Sequence, residues 1–85
     1  MRNSKFDQLL TRYLHNETSD LETRRIEQLF DSMKKRNVEF ITSEGEDLIY
    51  QEITQDKEAN IDLLIEGMYE HWKNGNLDYI FHARA

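Results

Sequence analysis

The sequence predicts an all-α fold, a small antiparallel bundle of three to five short helices, with residues 1–85 forming a single helical domain. Three observations carry this expectation. Apolar residues recur at helical spacing in three long stripes, and the capping pattern S-x-x-E occurs twice. The one run that alternates like a strand has no second run to pair with.

The first stripe, Phe6, Leu9, Leu10, Tyr13 and Leu14, has the i, i+3, i+4, i+7, i+8 spacing of a helix buried along one face, and predicts helix over about residues 4 to 15. Asn16 then stands where a helix often ends in the left-handed conformation, which takes Gly first and Asn next. Residues 19–22 read S-x-x-E, in which a serine oxygen caps a free amide while the glutamate returns to the cap residue's own N–H. A second helix should start near residue 20, bury Ile26, Leu29, Phe30 and Met33, and fray around Arg36 and Asn37. Residues 38–41 alternate briefly and are read as an apolar connector pressed onto the helices. A two-stranded sheet built from residues 38–41 and 77–81 would contradict the almost all-helical assignment. Ser43 and Glu46 repeat the capping pattern, and Leu48, Ile49 and Ile53 predict a third helix over roughly 44 to 54. The stripe lapses from Thr54 to Asn60, with Asp56 as a new cap, before Ile61, Leu64, Ile65, Met68 and Trp72 restore it over about 57 to 73. With no Pro or Gly in the lapse, one bent helix and two separate helices both remain open. Gly75 should end this segment in the left-handed conformation, an N-G hairpin turn being the competing reading. Residues 77–81 suit one closing turn beneath the bundle.

Composition narrows the function classes. The chain has 85 residues, 38% apolar and 33% charged, a balance suited to a compact domain rather than a disordered tail. Its longest apolar runs are three residues, at 48–50, 63–65 and 79–81, far short of the roughly 18 needed to cross a bilayer. The first residues lack the apolar stretch of an export signal, so the expected location is cytoplasmic. There is no cysteine, hence no disulfide framework and no thiolate chemistry. The net charge of −6 divides into +2 over residues 1–37 and −8 over residues 38–85. So acidic a surface repels phosphates, which argues against direct nucleic-acid binding and against anionic lipid. The basic run 34–36 follows an apolar stripe, where cations meet the negative end of a helix dipole.

No enzyme or cofactor motif emerges. Arg12, Met68 and Tyr79 stand three residues before His15, His71 and His82, so no E-x-x-H or H-E-x-x-H metal spacing forms. Residues 56–67 superficially resemble a calcium loop, but the sixth position, which needs glycine, is Ile61, and the twelfth, which needs a carboxylate, is Gly67. Glu44, Glu46 and Asp47 read as first-turn acids favoured by the helix dipole. Phosphate-cradling and nucleophile-elbow glycine patterns are absent. What remains is aromatic surface. Phe6, Tyr13, Phe30 and Trp72 lie on the stripes and read as core. Tyr50, Tyr69, Tyr79 and Phe81 fit the stripes less well and are the candidate protein-binding residues, the alternative being that they close a small core.

Residues 9–22 add a resemblance. Leu9, Leu10, Tyr13, Leu14, Glu17, Ser19 and Glu22 stand in an order that resembles the N-terminal cytoplasmic domains of FecR-type bacterial anti-sigma regulators. Those read Leu-Leu, two residues, Tyr-Leu, one residue, Gly-Glu, one residue, Ser-Pro-Glu-Glu, then an apolar stripe with a bulky aromatic. Ile26, Leu29 and Phe30 would supply the stripe. Asn16 stands in place of the glycine and Asp20 in place of the proline. The resemblance implies a helical domain, excised from or related to a longer regulator, that masks the polymerase-binding surface of an extracytoplasmic-function sigma factor in transcription regulation. It implies no catalysis. Two other classes fit the composition: an acidic DNA mimic that inhibits a nucleic-acid-binding protein, and a homo-oligomeric structural bundle.

Overall fold

The structure, a computed structural model, describes residues 4–75 and 81–83. It is a small all-α bundle of four helices among the described residues, α1 (Lys5–Leu14), α2 (Asp20–Lys35), α3 (Ser43–Thr54) and α4 (Ile61–Lys73), joined by two short strands, β1 (Val38–Ile41) and β2 (Phe81–Ala83).

Local signals set the ends of α1 and the start of α2. Ser4 caps α1 by accepting the Asp7 amide at 3.1 Å. At the other end Asn16 takes φ 58°, the Glu17 amide donates to the Arg12 carbonyl at 2.8 Å, and the Asn16 amide donates to Tyr13 at 3.1 Å. This pair of bonds closes a Schellman turn and satisfies carbonyls the helix leaves open. Three residues later the capping box forms in both directions. The Glu22 amide donates to Ser19 Oγ at 3.1 Å, and the Ser19 amide donates to Glu22 Oε1 at 3.0 Å. Arg12 Nη2 reaches the same Glu22 oxygen at 3.2 Å, tying the end of α1 to the start of α2.

Two capping expectations are corrected. Ser43 lies inside α3, whose N-cap is Thr42 without a side-chain capping bond, so the second S-x-x-E forms no box. The cap of α4 is Asn60, which accepts the Leu63 amide at 3.1 Å, rather than Asp56. Helices α3 and α4 are therefore separate, divided by residues 55–60. Gly75 has φ 82°, and its amide donates to the Trp72 carbonyl at 3.0 Å, ending α4 as a left-handed glycine should.

The connector reading of residues 38–41 is also corrected. They form β1, which pairs antiparallel with β2 in the register Val38 to Ala83, Phe40 to His82 and Ile41 to Phe81. β1 carries one residue more than its partner between Val38 and Phe40, which is a bulge. Its partner was missed because a three-residue strand has too few residues to show an alternating pattern. Of the expected closing turn at 77–81, residues 77–80 lie outside the described residues, and Phe81 opens β2.

Phe6, Leu9, Ile26, Leu29, Ile49, Ile53, Ile61, Ile65 and Met68 form one buried cluster, with contributions from all four helices. α2 lies chiefly on α4, and α1 chiefly on α3. α1 and α2, though adjacent in sequence, share little contact. This explains two further corrections. Leu14, on the α1 stripe, is 77% exposed, and Phe30, read as core, is 44% exposed. Phe6 and Leu9 are buried where α1 lies along α3, whereas at the last turn of α1 only Tyr13 packs on the core and Leu14 projects away from it.

Candidate protein-binding site

Two polar joints hold α3 and α4 against α2 and so fix the surface between them. The first is Arg25, 5% exposed. Its Nη1 donates to the carbonyls of Ile53 at 2.9 Å, Gln55 at 2.8 Å and Glu52 at 3.3 Å, and its Nη2 to that of Lys57 at 2.9 Å. α3 has no basic residue in its last turn, so this guanidinium supplies the cation that the negative end of the helix favours. By gathering carbonyls from 52 to 57 it also pulls the chain out of helical geometry. That is why α3 stops without glycine or proline.

The second joint is Asp62, in the first turn of α4. Its Oδ1 accepts from Ser32 Oγ at 2.6 Å and from Arg36 Nη1 at 2.9 Å, with Lys35 Nζ at 3.9 Å. The Ser32 hydrogen bond is the largest of the effects that hold the Asp62 carboxyl below the ordinary aspartate range, followed by the hydrogen bond from Arg36; desolvation comes next and opposes them, and the charges of Arg36 and Lys35 add the smallest lowering effects. Ser32 itself is buried, so its hydroxyl depends on this partner.

The sequence-predicted site residues are dispersed. Tyr50 is half-buried against the core on α3, beside a depression of about 420 Å³ lined also by Ser4, Lys5, Asp47 and Gln51. Tyr69 is half-buried on α4 and meets Trp72 with ring centroids 5.8 Å apart at 44°. Tyr79 lies outside the described residues, and the backbone of Phe81 belongs to β2. Tyr50 and Tyr69 thus sit on different helices, each packed against the core.

Exposed apolar side chains instead mark two other surfaces. At the α1–α2 corner, Tyr13 is half-buried and meets the partly exposed Phe30 edge-on at 6.0 Å, with Leu14 projecting beside them. The adjoining depression, about 480 Å³, is mostly polar, lined by Asn16, Thr18, Asp20, Thr23 and Glu27 besides Tyr13 and Leu14. Between α3 and α4 runs a smaller groove of about 240 Å³, lined by Leu48, Leu63, Leu64, Gly67, Met68 and His71. Met68 is buried at its floor, Leu48 and Leu64 are half-buried, and Leu63 is 61% exposed. Sequence reasoning missed this groove because a helical stripe shows which residues share a face, not how far a neighbouring helix covers them. The available signal was Gly67, a glycine inside an otherwise strong helical stripe.

Among the described residues no group of three or more His, Asp or Glu is placed to hold a metal ion, and no helix is long and apolar enough to cross a membrane. In comparisons with known proteins the chain matches no family model, no curated protein and no solved structure.

Proposed function

We propose that the chain is a non-enzymatic protein-binding module of the bacterial cytoplasm, an anti-sigma-like domain that sequesters a sigma factor from RNA polymerase. The observation that carries the binding reading is the exposure of large apolar side chains on a small bundle: Leu14 at 77%, Leu63 at 61% and Phe30 at 44%. Large apolar side chains left this exposed on a small domain are what a protein partner covers. The sigma-factor reading rests on the resemblance of residues 9–22 to FecR-type regulators, together with an acidic second half that complements a basic partner and hastens encounter.

The test is co-expression of the 85-residue chain with extracytoplasmic-function sigma factors of the same genome, followed by transcription from a cognate promoter. The expected result is a stable complex with one of them and loss of its transcription. No complex with any of them at any salt concentration overturns the sigma-factor reading. A charge mimic of DNA would lose its partner steeply as salt rises, whereas apolar docking at Leu14, Phe30 or Leu63 keeps most of its affinity.

A further inference from the structure

We infer that the groove between α3 and α4 receives the apolar face of a basic amphipathic helix contributed by the partner protein, and that Gly67 keeps this groove open for it. The inference rests on the protein-binding reading above and names the surface and the chemistry of its occupant.

Three independent features meet there. The groove has a buried floor at Met68, half-buried walls at Leu48 and Leu64, and an exposed leucine, Leu63, at its rim. Its volume of about 240 Å³ falls below the roughly 300–1,000 Å³ typical of small-molecule sites and suits one or two aliphatic anchors of a docked helix.

Gly67 is the second feature. It lies in the interior of α4, is exposed, and a Cβ built on it meets nothing within 4 Å among the described residues. Its φ is not positive, so neither backbone conformation nor an internal close approach requires glycine. Glycine inside a helix weakens it relative to alanine. Among the described residues nothing compensates this weakness, whereas a notch between Leu63, Leu64 and His71 lets a second backbone approach closely.

Charge is the third. Residues 43–73 carry nine Asp/Glu and two Lys, and Lys73, at the far end of α4, is the one Lys or Arg on either helix. Exposed Glu44 stands one turn from Leu48, and exposed Glu70 one turn from Gly67, so acids border the apolar strip on both helices. Glu66 is exposed too, though it lies 3.9 Å from Arg36. An apolar strip bordered by acids complements a helix with leucines on one face and lysines or arginines beside them.

The probe is a synthetic helix of leucine and lysine arranged to give one apolar face, with a scrambled peptide of the same composition as control. It is titrated into the full 85-residue chain while methyl NMR shifts and affinity are recorded. Shifts should concentrate at Leu48, Leu63, Leu64 and Met68, and the scrambled peptide should bind at least about tenfold more weakly. Leu63→Ser should weaken the patterned peptide by about tenfold, and Gln28→Ser, at an exposed position of α2, should leave it unchanged. Gly67→Ala is the decisive variant, because it should raise the melting temperature of the chain while weakening the peptide several-fold, a split that a merely structural glycine would not give. Should Leu63→Ser unfold the chain, Gly67→Ala alone decides. Equal binding of the scrambled peptide, shifts centred on Tyr13, Leu14 and Phe30, unchanged affinity in Gly67→Ala, or the same methyl shifts produced by self-association of the chain would each overturn the groove assignment. Capture of a sigma factor that is indifferent to Leu63→Ser and Gly67→Ala overturns the groove and leaves the anti-sigma reading standing. Peptide docking in the groove with no sigma factor captured does the reverse.

Discussion

Between α1 and α2 the chain turns on residues that hold one another, whereas between α3 and α4 it turns on a side chain brought from α2. The first turn draws on Asn16, Ser19 and Glu22, all within seven residues, and each makes its bonds with near neighbours. At the second, the carbonyls of residues 52, 53, 55 and 57 converge on Arg25, which is 27 to 32 residues away in sequence. A local turn spreads its stability over several modest bonds. A remote one concentrates it in a single buried cation, so the two joints should fail very differently under mutation.

The largest effect is expected at Arg25. Arg25→Met keeps much of the apolar stem but leaves the end of α3 without donors, and should cost about 3 kcal/mol in chemical denaturation. Against a total of about 5 to 15 kcal/mol for a domain, that is a major loss. Arg25→Lys should recover only part of it, because an ammonium does not present the flat fork that reaches both Gln55 and Lys57. Full stability in Arg25→Met would show that the α3–α4 joint is as locally determined as the first.

Ser32→Ala comes next, at about 1.5 kcal/mol, since it removes a hydrogen bond to a charged acceptor from a buried position. The same contact has a pH signature. Because the Asp62 pKa is lowered on folding, its contribution is fully present above the unfolded value, about pH 4, and is lost as pH falls through the lowered folded value. Wild-type stability should therefore drop in that acid window, while Asp62→Asn should be less stable at neutral pH and flatter below it. Denaturation curves measured from neutral to strongly acidic pH distinguish the two.

Within the local turn the effects should be small. Ser19→Ala should cost about 1 kcal/mol, the usual loss for a helix cap. Asn16→Gly should change stability by less than about 0.5 kcal/mol, because glycine gains ease at φ 58° and loses chain stiffness. A loss at Ser19 as large as that at Arg25 would erase the distinction between the joints.

This contrast also explains what the amino-acid pattern made legible. Asn16, the Ser19 box and the left-handed Gly75 were readable because both partners of each interaction lie within a few residues. The start of α4 was misplaced because Arg25 holds residues 55–57 out of helix, and nothing near Asp56 records that. Ser43 and Glu46 match the capping pattern, yet Thr42 takes the cap, since the chain leaves β1 extended and enters the helix one residue early. Leu14 and Phe30 share the helical period of true core residues, but exposure depends on which helix faces them, a tertiary property. The same holds for the binding surfaces. Tyr50 and Tyr69 stand out by side-chain chemistry and are half-buried, while Leu63 and Gly67 lie off the stripe of Ile61, Leu64, Ile65, Met68 and Trp72, and nothing in the periodicity shows that they line a groove.

The β1–β2 ribbon bears on the order in which the fold assembles. Its strands flank a stretch of roughly forty residues that includes α3 and α4, so pairing them closes a long loop and incurs its entropy before any ladder bond repays it. The helices, with their local hydrogen bonds, form on far shorter timescales. The ribbon is therefore expected to zip up after the helical core has assembled. In the native state it should also be a place where opening begins, with amides of β1 exchanging well before those around Ile26, Leu29 and Ile65.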